Sequence, residues 1–326
     1  MEWLNLAFMQ RALVAALLSG LMAPAIGTYI VQRRLSLLGD GLGHVAIMGV
    51  GLAFMTGTAP LPAAIIVCVL GAVIVELLRQ HGRASGDVGL AILFYGGLAS
   101  GVMMAGVAGQ GAGALSQFLF GALTTITSAD LWTIAVLTVV VLIPTVAMSP
   151  QLFAITADEE FATVLGLKVK LANLAVVVLA AITVTVSMRT VGLLLVSAMM
   201  VIPVACANNL FVGFRRALFG AMGIGAVTAV TGTVGSYYLD TASGATIVVT
   251  SIVVFLASWP VSGLLQRRRP FIAYVDAAPV QDHIVAAEHC DNHEAPGAKV
   301  IQHGDHLDYI HDGHRHAKHG DHFDEH

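Results

Sequence analysis

Asp40 and His44 stand four residues apart in "LLGDGLGHVAIMGVG" (37–51), a stretch otherwise apolar enough to cross a bilayer. Residues i and i+4 share one face of a helix, so a carboxylate oxygen and an imidazole nitrogen can reach the same point. That donor pair suits a divalent transition metal, zinc or manganese. An aspartate in a membrane helix costs about 2.5 to 3.5 kcal/mol on insertion scales, which makes such residues functional candidates. A plainer account uses the same two residues, with Asp40 capping the helix and His44 satisfied in the core. Two ligands per chain would hold an ion loosely enough to release it, whereas a closed four-ligand cage would trap it.

A second group of donors lies at the C-terminus. Eleven of the 13 histidines follow Gln281, interleaved with carboxylates. They are His283, His289, His293, His303, His306, His311, His314, His316, His319, His322 and His326, and Cys290 adjoins the second of them, His289. Imidazoles among carboxylates bind zinc, nickel or copper. The segment has little apolar content for a core, so disorder is expected of it. Such a tail would buffer or sense the ion, and it leans the metal choice toward zinc, since manganese binds imidazole weakly.

The rest of the chain must position these donors. Of 326 residues 57% are hydrophobic and 11% charged, with mean hydropathy +0.82, the composition of a polytopic membrane protein rather than a soluble domain or a nucleic-acid binder. Residues 1–270 carry a net +4 and 271–326 a net −8, so the domain boundary is drawn at 270. Three cysteines imply no disulfide framework. The first span lacks a basic leader and reads as retained.

A bilayer core about 30 Å thick needs roughly 20 apolar residues per helix. Nine segments come close: 12–31, 40–58, 61–78, 88–108, 131–148, 171–188, 191–212, 217–238 and 245–264. The expected fold is therefore all-α, a bundle of about nine transmembrane helices. A further apolar piece, 114–131, is too short to cross and reads as re-entrant or interfacial. With the N-terminus outside and the C-terminus cytoplasmic, Arg33, Arg34, Arg79, Arg83, Lys168, Lys170, Arg215, Arg216 and Arg267 to Arg269 all fall inside. Arg11 and Arg189 are the exceptions. Glu76, with Arg79 three residues on, reads as a local ion pair near the inner end of its span. Pro203, followed by Asn208 and Asn209, reads either as a kink on the translocation path or as ordinary packing.

The inner connection "SPQLFAITADEEFATVLGLKVKLANL" (149–174) has acids first, then Phe161, Val164 and Leu165 at helical spacing, then Gly166. It predicts a short helix on the inner face, either resting on headgroups or docking a second protein through the small residues Ala162 and Gly166. No GxxxxGK[ST] occurs, so the chain has no phosphate-binding loop of its own.

Five stretches carry a resemblance: "RRLSLLGDGLGHVAIMGVGLA" (33–53), "SQFLFGALTTITSADL" (116–131), "EEFATVLGLKVKLANL" (159–174), "MRTVGLLLVSAMMVIPVACAN" (188–208) and "DTASGATIVV" (240–249). In this order they resemble the integral-membrane permease subunits of bacterial zinc/manganese importers of the ATP-binding-cassette class. Ala122 departs from the acid that relatives often carry after "LFG". The resemblance implies a transport subunit and not an enzyme, in the bacterial inner membrane. It implies a second copy of the chain, a cytoplasmic ATPase gripping the loop around Glu160, Ala162, Leu165 and Gly166, and an extracytoplasmic metal-binding protein. No cofactor is implied beyond the transported Zn2+ or Mn2+. The rivals are an ATP-independent metal carrier or channel, for which the docking loop has no purpose, and an intramembrane hydrolase, for which the chain lacks HExxH or a second suitably placed aspartate.

Overall fold

The computed structural model describes residues 6–33, 35–80, 86–110, 112–121, 126–267, 284–285, 299–303, 306–311, 314–319 and 322–325. The chain divides into two compact units, 1–268 and 269–326.

The first unit is all-helical. Nine long helices appear among the described residues: α1 (Ala7–Gln32), α2 (Leu38–Thr56), α3 (Pro60–Gln80), α4 (Gly86–Val107), α6 (Ser128–Ala147), α9 (Val169–Thr190), α10 (Leu193–Leu210), α11 (Phe214–Leu239) and α12 (Ser243–Arg267). Seven are long and apolar enough to cross a membrane. In α4 and α10 the described residues supply the apolar stretches Ala91–Val107 and Leu195–Leu210. Three short helices complete the unit: α5 (Ala112–Phe120), α7 (Ser149–Ala157) and α8 (Glu159–Val164). Nine residues rise about 14 Å, so α5 is too short to span.

Helix α2 lies at the centre, with thirteen of its residues buried, and packs on α3, α4, α9 and α10. Its glycines permit this. A Cβ on Gly49 would fall 2.5 Å from Ala64 of α3, and one on Gly51 2.5 Å from the Gly101 carbonyl of α4. In lipid, where apolar burial offers little drive, such close approach is what helix association rests on. Gly57 ends α2 at φ 68°, the left-handed cap that favours glycine.

Three of the stretches read from the sequence meet at one point. Gly121, Gly192 and Gly244 sit backbone to backbone: a Cβ on Gly121 would lie 2.7 Å from the Gly192 nitrogen, and one on Gly244 would strike the Val191 carbonyl. Gly121 and Gly192 also hold φ of 75° and 92°, so both space and conformation demand glycine.

The connection after α6 forms two helices rather than one. Asp158, extended at φ −149°, breaks it and caps α8 by accepting a hydrogen bond from the Phe161 amide at 2.9 Å.

In the second unit the described residues are strands, where the composition predicts disorder. Its described residues form strands β1 (Ile284–Val285), β2 (Lys299–His303), β3 (His306–His311), β4 (His314–His319) and β5 (His322–Glu325). They pair antiparallel in the order β1-β5-β4-β3-β2. Successive strands from β2 onward are separated by Gly304-Asp305, Asp312-Gly313 and Gly320-Asp321, compositions that favour two-residue hairpins. A reading of overall polarity overlooks that turn chemistry.

Candidate functional site

Asp40 lies in the first turn of α2 and His44 one turn on. The Asp40 carboxylate does not act as a free cap: the Ser197 hydroxyl of α10 donates to its Oδ1 at 2.6 Å. His44 is 6% exposed. Its Nδ1 stands 2.7 Å from the Asp40 carbonyl. A carbonyl only accepts, so Nδ1 carries a proton; in the neutral ring the lone pair is then on Nε2, the tautomer of a metal-binding imidazole. Phe94 packs against the ring, centroid to centroid 4.0 Å. Gly97 of α4 brings that helix against the His44 backbone, where a Cβ would fall 2.7 Å from the carbonyl carbon. Among the residues whose side chains are described, no three His, Cys, Asp or Glu gather into one group. Each of these two candidate donors is thus held by neighbours.

Ser197 and Phe94 are the residues the sequence reading missed. Ser197 was visible as a hydroxyl within the apolar run "GLLLVSAMMVIP", but its partner, 157 positions away, was not.

The ends of α1 and α3, the short helix α8 and the start of α9 carry a polar network. Glu76, 3% exposed, makes the expected ion pair, accepting from Arg79 Nε and Nη2 at 2.9 Å each, and Gln80 adds a third bond. Arg33, at the end of α1, donates to Asn173 Oδ1 of α9. Asn173 in turn donates to Glu159 Oε1 of α8 at 2.9 Å. Burial pushes the Arg33 guanidinium pKa down, and the Glu159 charge opposes that push. A pocket of about 270 Å³ lies here, lined by Gln32, Arg33, Arg79 and Glu159 among others.

On α8 the structure corrects one expectation. Ala162 does not face outward to receive a partner: it is fully buried between Ile155 and Val169 of its own chain. Its small size brings α8 onto α7 and α9. The outward apolar surface is instead Phe161, Leu165 and Val164, the last 84% exposed. Glu160 is exposed as well, and Gly166, at φ 76°, has open space around it.

Of the two basic residues outside the expected orientation pattern, Arg189 has an acidic partner. Arg189 Nη2 pairs with Asp130 Oδ2 at 2.8 Å and its guanidinium stands 5.5 Å from the Phe118 ring centroid. Asp130 also forms a capping box with Thr127 at the start of α6. Asn209 donates to Ser258 at 3.3 Å, a contact between α10 and α12.

Of the tail donors, His303, His306, His311, His314, His316, His319 and His322 fall on described strands. His283, His289, Cys290, His293 and His326 lie outside the described residues, as does Ala122.

Comparison with known proteins places these features. The model of the ABC 3 transport family matches residues 5–262. The manganese import system permease protein ScaB of Streptococcus parasanguinis is 31% identical over 253 residues, covering 77% of this chain and 90% of the relative. The manganese transport system membrane protein MntC of Halalkalibacterium halodurans is 31% identical over 270 residues, 82% and 92% of the two chains. Among solved structures, PsaBC from Streptococcus pneumoniae in complex with Fab superposes with TM-score 0.73 at 27% identity, covering 82% of this chain and 99% of that one.

Proposed function

We propose, for a chain that belongs to the ABC 3 transport family and is the multi-pass permease subunit of a metal importer, that Asp40 and His44 line the route of the ion. The observation that carries this is the positioning of both residues: a carboxylate bonded by Ser197 and an imidazole whose Nδ1 is engaged by the Asp40 carbonyl, so that in the neutral ring Nε2 is the nitrogen left to bind an ion. Orienting partners of this kind raise ligand basicity and fix geometry.

Permease subunits of this class are not enzymes, so hydrolysis belongs to an ATPase partner, and a substrate-binding protein delivers the ion. We place the ATPase against Glu160, Phe161, Val164, Leu165 and Gly166, the outward surface of α8 and its exit. The N-terminus is outside and the C-terminus cytoplasmic, in a bacterial inner membrane. The working unit is a symmetric pair of chains, in which two Asp40–His44 sets complete one coordination sphere. Two ligands per chain favour that arrangement, since a cyclic dimer presents identical donors about its axis.

The relatives' names favour manganese as cargo, and a carboxylate donor suits it. Zinc is the second reading, favoured by the imidazole-rich tail. The test is uptake of radiolabelled manganese and zinc into vesicles holding the full importer. Asp40→Asn and His44→Ala should each abolish uptake while leaving ATPase association intact. Undiminished uptake by both variants removes the pair from the path, and competition between the two ions settles the cargo.

A further inference from the structure

We infer that the C-terminal unit holds two copies of one three-ligand site for a divalent transition metal ion, His303–His306–Asp308 and His319–His322–Asp324. The inference rests on the reading that the tail takes up metal, and it adds which residues do so and in what number.

The sequence states the repeat. "HGDHLD" at 303–308 and "HGDHFD" at 319–324 are the same hexapeptide but for one apolar position, sixteen residues apart. The strand register gives it spatial meaning. His303 of β2 is the direct partner of His306 of β3, and His319 of β4 that of His322 of β5. Direct partners share a face of the sheet, on strands about 4.8 Å apart. Asp308 and Asp324 each follow the second histidine by two residues, which returns them to that face about 6.7 Å along the strand. Each hexapeptide therefore places two imidazole residues and one carboxylate residue at adjoining positions.

The copies are neighbours. The printed pairing of β3 with β4, Asp308 opposite Ala317, carried two residues further sets His306 opposite His319. The four histidines then form one row across four strands. Asp308, Ala317 and Asp324 form the next row, with the smallest side chain between the acids. The site centres are two strand spacings apart, about 10 Å. The intervening "HDGHRH" (311–316) breaks the pattern: it pairs His311 with His314 at the opposite end of the sheet, and has His316 where the others have aspartate.

Two nitrogens and one oxygen suit zinc or cobalt and leave a coordination position open, as in sites that exchange what they bind. Register also couples the ion to the fold, because each ion ties two strands together.

The experiment uses the full chain in lipid nanodiscs, titrated with Co2+ and followed by visible absorption, with Zn2+ as competitor. Two tight ions are expected. Asp308→Asn with Asp324→Asn, which keeps every histidine, should weaken both about tenfold or more, at least the cost of losing an outer partner that only orients a ligand. Asp291→Asn with Glu294→Gln should leave them unchanged. His303→Gln with His306→Gln should remove one ion and keep the other. Equal losses from the two acidic pairs, no loss from either, or loss of both ions with the histidine pair would overturn the inference in favour of unordered binding. A chain carrying Asp40→Asn and His44→Ala should still bind both tail ions, so failure in the tail and failure in the transport path read out separately.

Discussion

The Ser197 hydroxyl reaches across from α10 to bond the Asp40 carboxylate of α2 at 2.6 Å. One oxygen is thereby oriented and one remains for other partners. Replacing Ser197 with Ala should lower metal affinity about 10- to 100-fold, the usual cost of losing an orienting partner. Thr, which keeps the hydroxyl, should retain most of it. Uptake measured across metal concentration checks this: the apparent affinity shifts while the rate at saturation changes less. Equal defects in the Ala and Thr variants would argue for packing at this position.

The glycines of α4 provide a paired stability test. Gly97→Ala places a methyl 2.7 Å from the His44 backbone, whereas Gly96→Ala meets nothing within 4 Å. The first should destabilise by about 1 to 3 kcal/mol through overpacking. The second should be neutral or stabilising by up to about 1 kcal/mol, since alanine favours helix. Melting temperatures in detergent distinguish them, and similar values for both would contradict the packing described.

Glu159, Asn173 and Arg33 link α8 to the end of α1, four residues before α2's cap at Leu37. Asn173→Ala cuts this link without touching the outward face of α8. The expected result is an assembly that still binds the ATPase and hydrolyses ATP but imports less metal per ATP. Hydrolysis and uptake measured on one preparation give that ratio. A ratio equal to wild type would leave the link without a part in coupling.

Arg189 and Asp130 are both largely buried, at 14% and 17% side-chain exposure. Arg189→Met strands the carboxylate and should cost about 3 kcal/mol, within the range for breaking a buried pair. Adding Asp130→Asn, which keeps a capping side chain for α6, should restore much of the loss. A double variant no more stable than the single one would mean that the stranded charge is not the source of the cost.

Much of this protein was legible in the sequence for a simple reason: a membrane helix declares itself by length and apolarity within one segment, with no reference to its neighbours. The Asp40–His44 spacing is equally local, and so is the Glu76–Arg79 pair. Which helix faces which is not local. When every face is apolar, lipid and protein offer similar surroundings, and fit of shape decides the contacts. That is why Ser197 emerged as the partner of Asp40 only in three dimensions, and why the meeting of Gly121, Gly192 and Gly244 was hidden in three separate stretches. Ala162 looked like a landing place for a partner because small residues permit approach, yet the tertiary structure used that permission within the chain. In the tail the hairpin turns were written in the sequence, but polarity alone argued for disorder. The sequence determined the apolar helices and the spacing of the candidate donors, since both are properties of single segments. The tertiary structure decided which donors are oriented and which strands align, because those depend on complementarity between segments far apart in the chain.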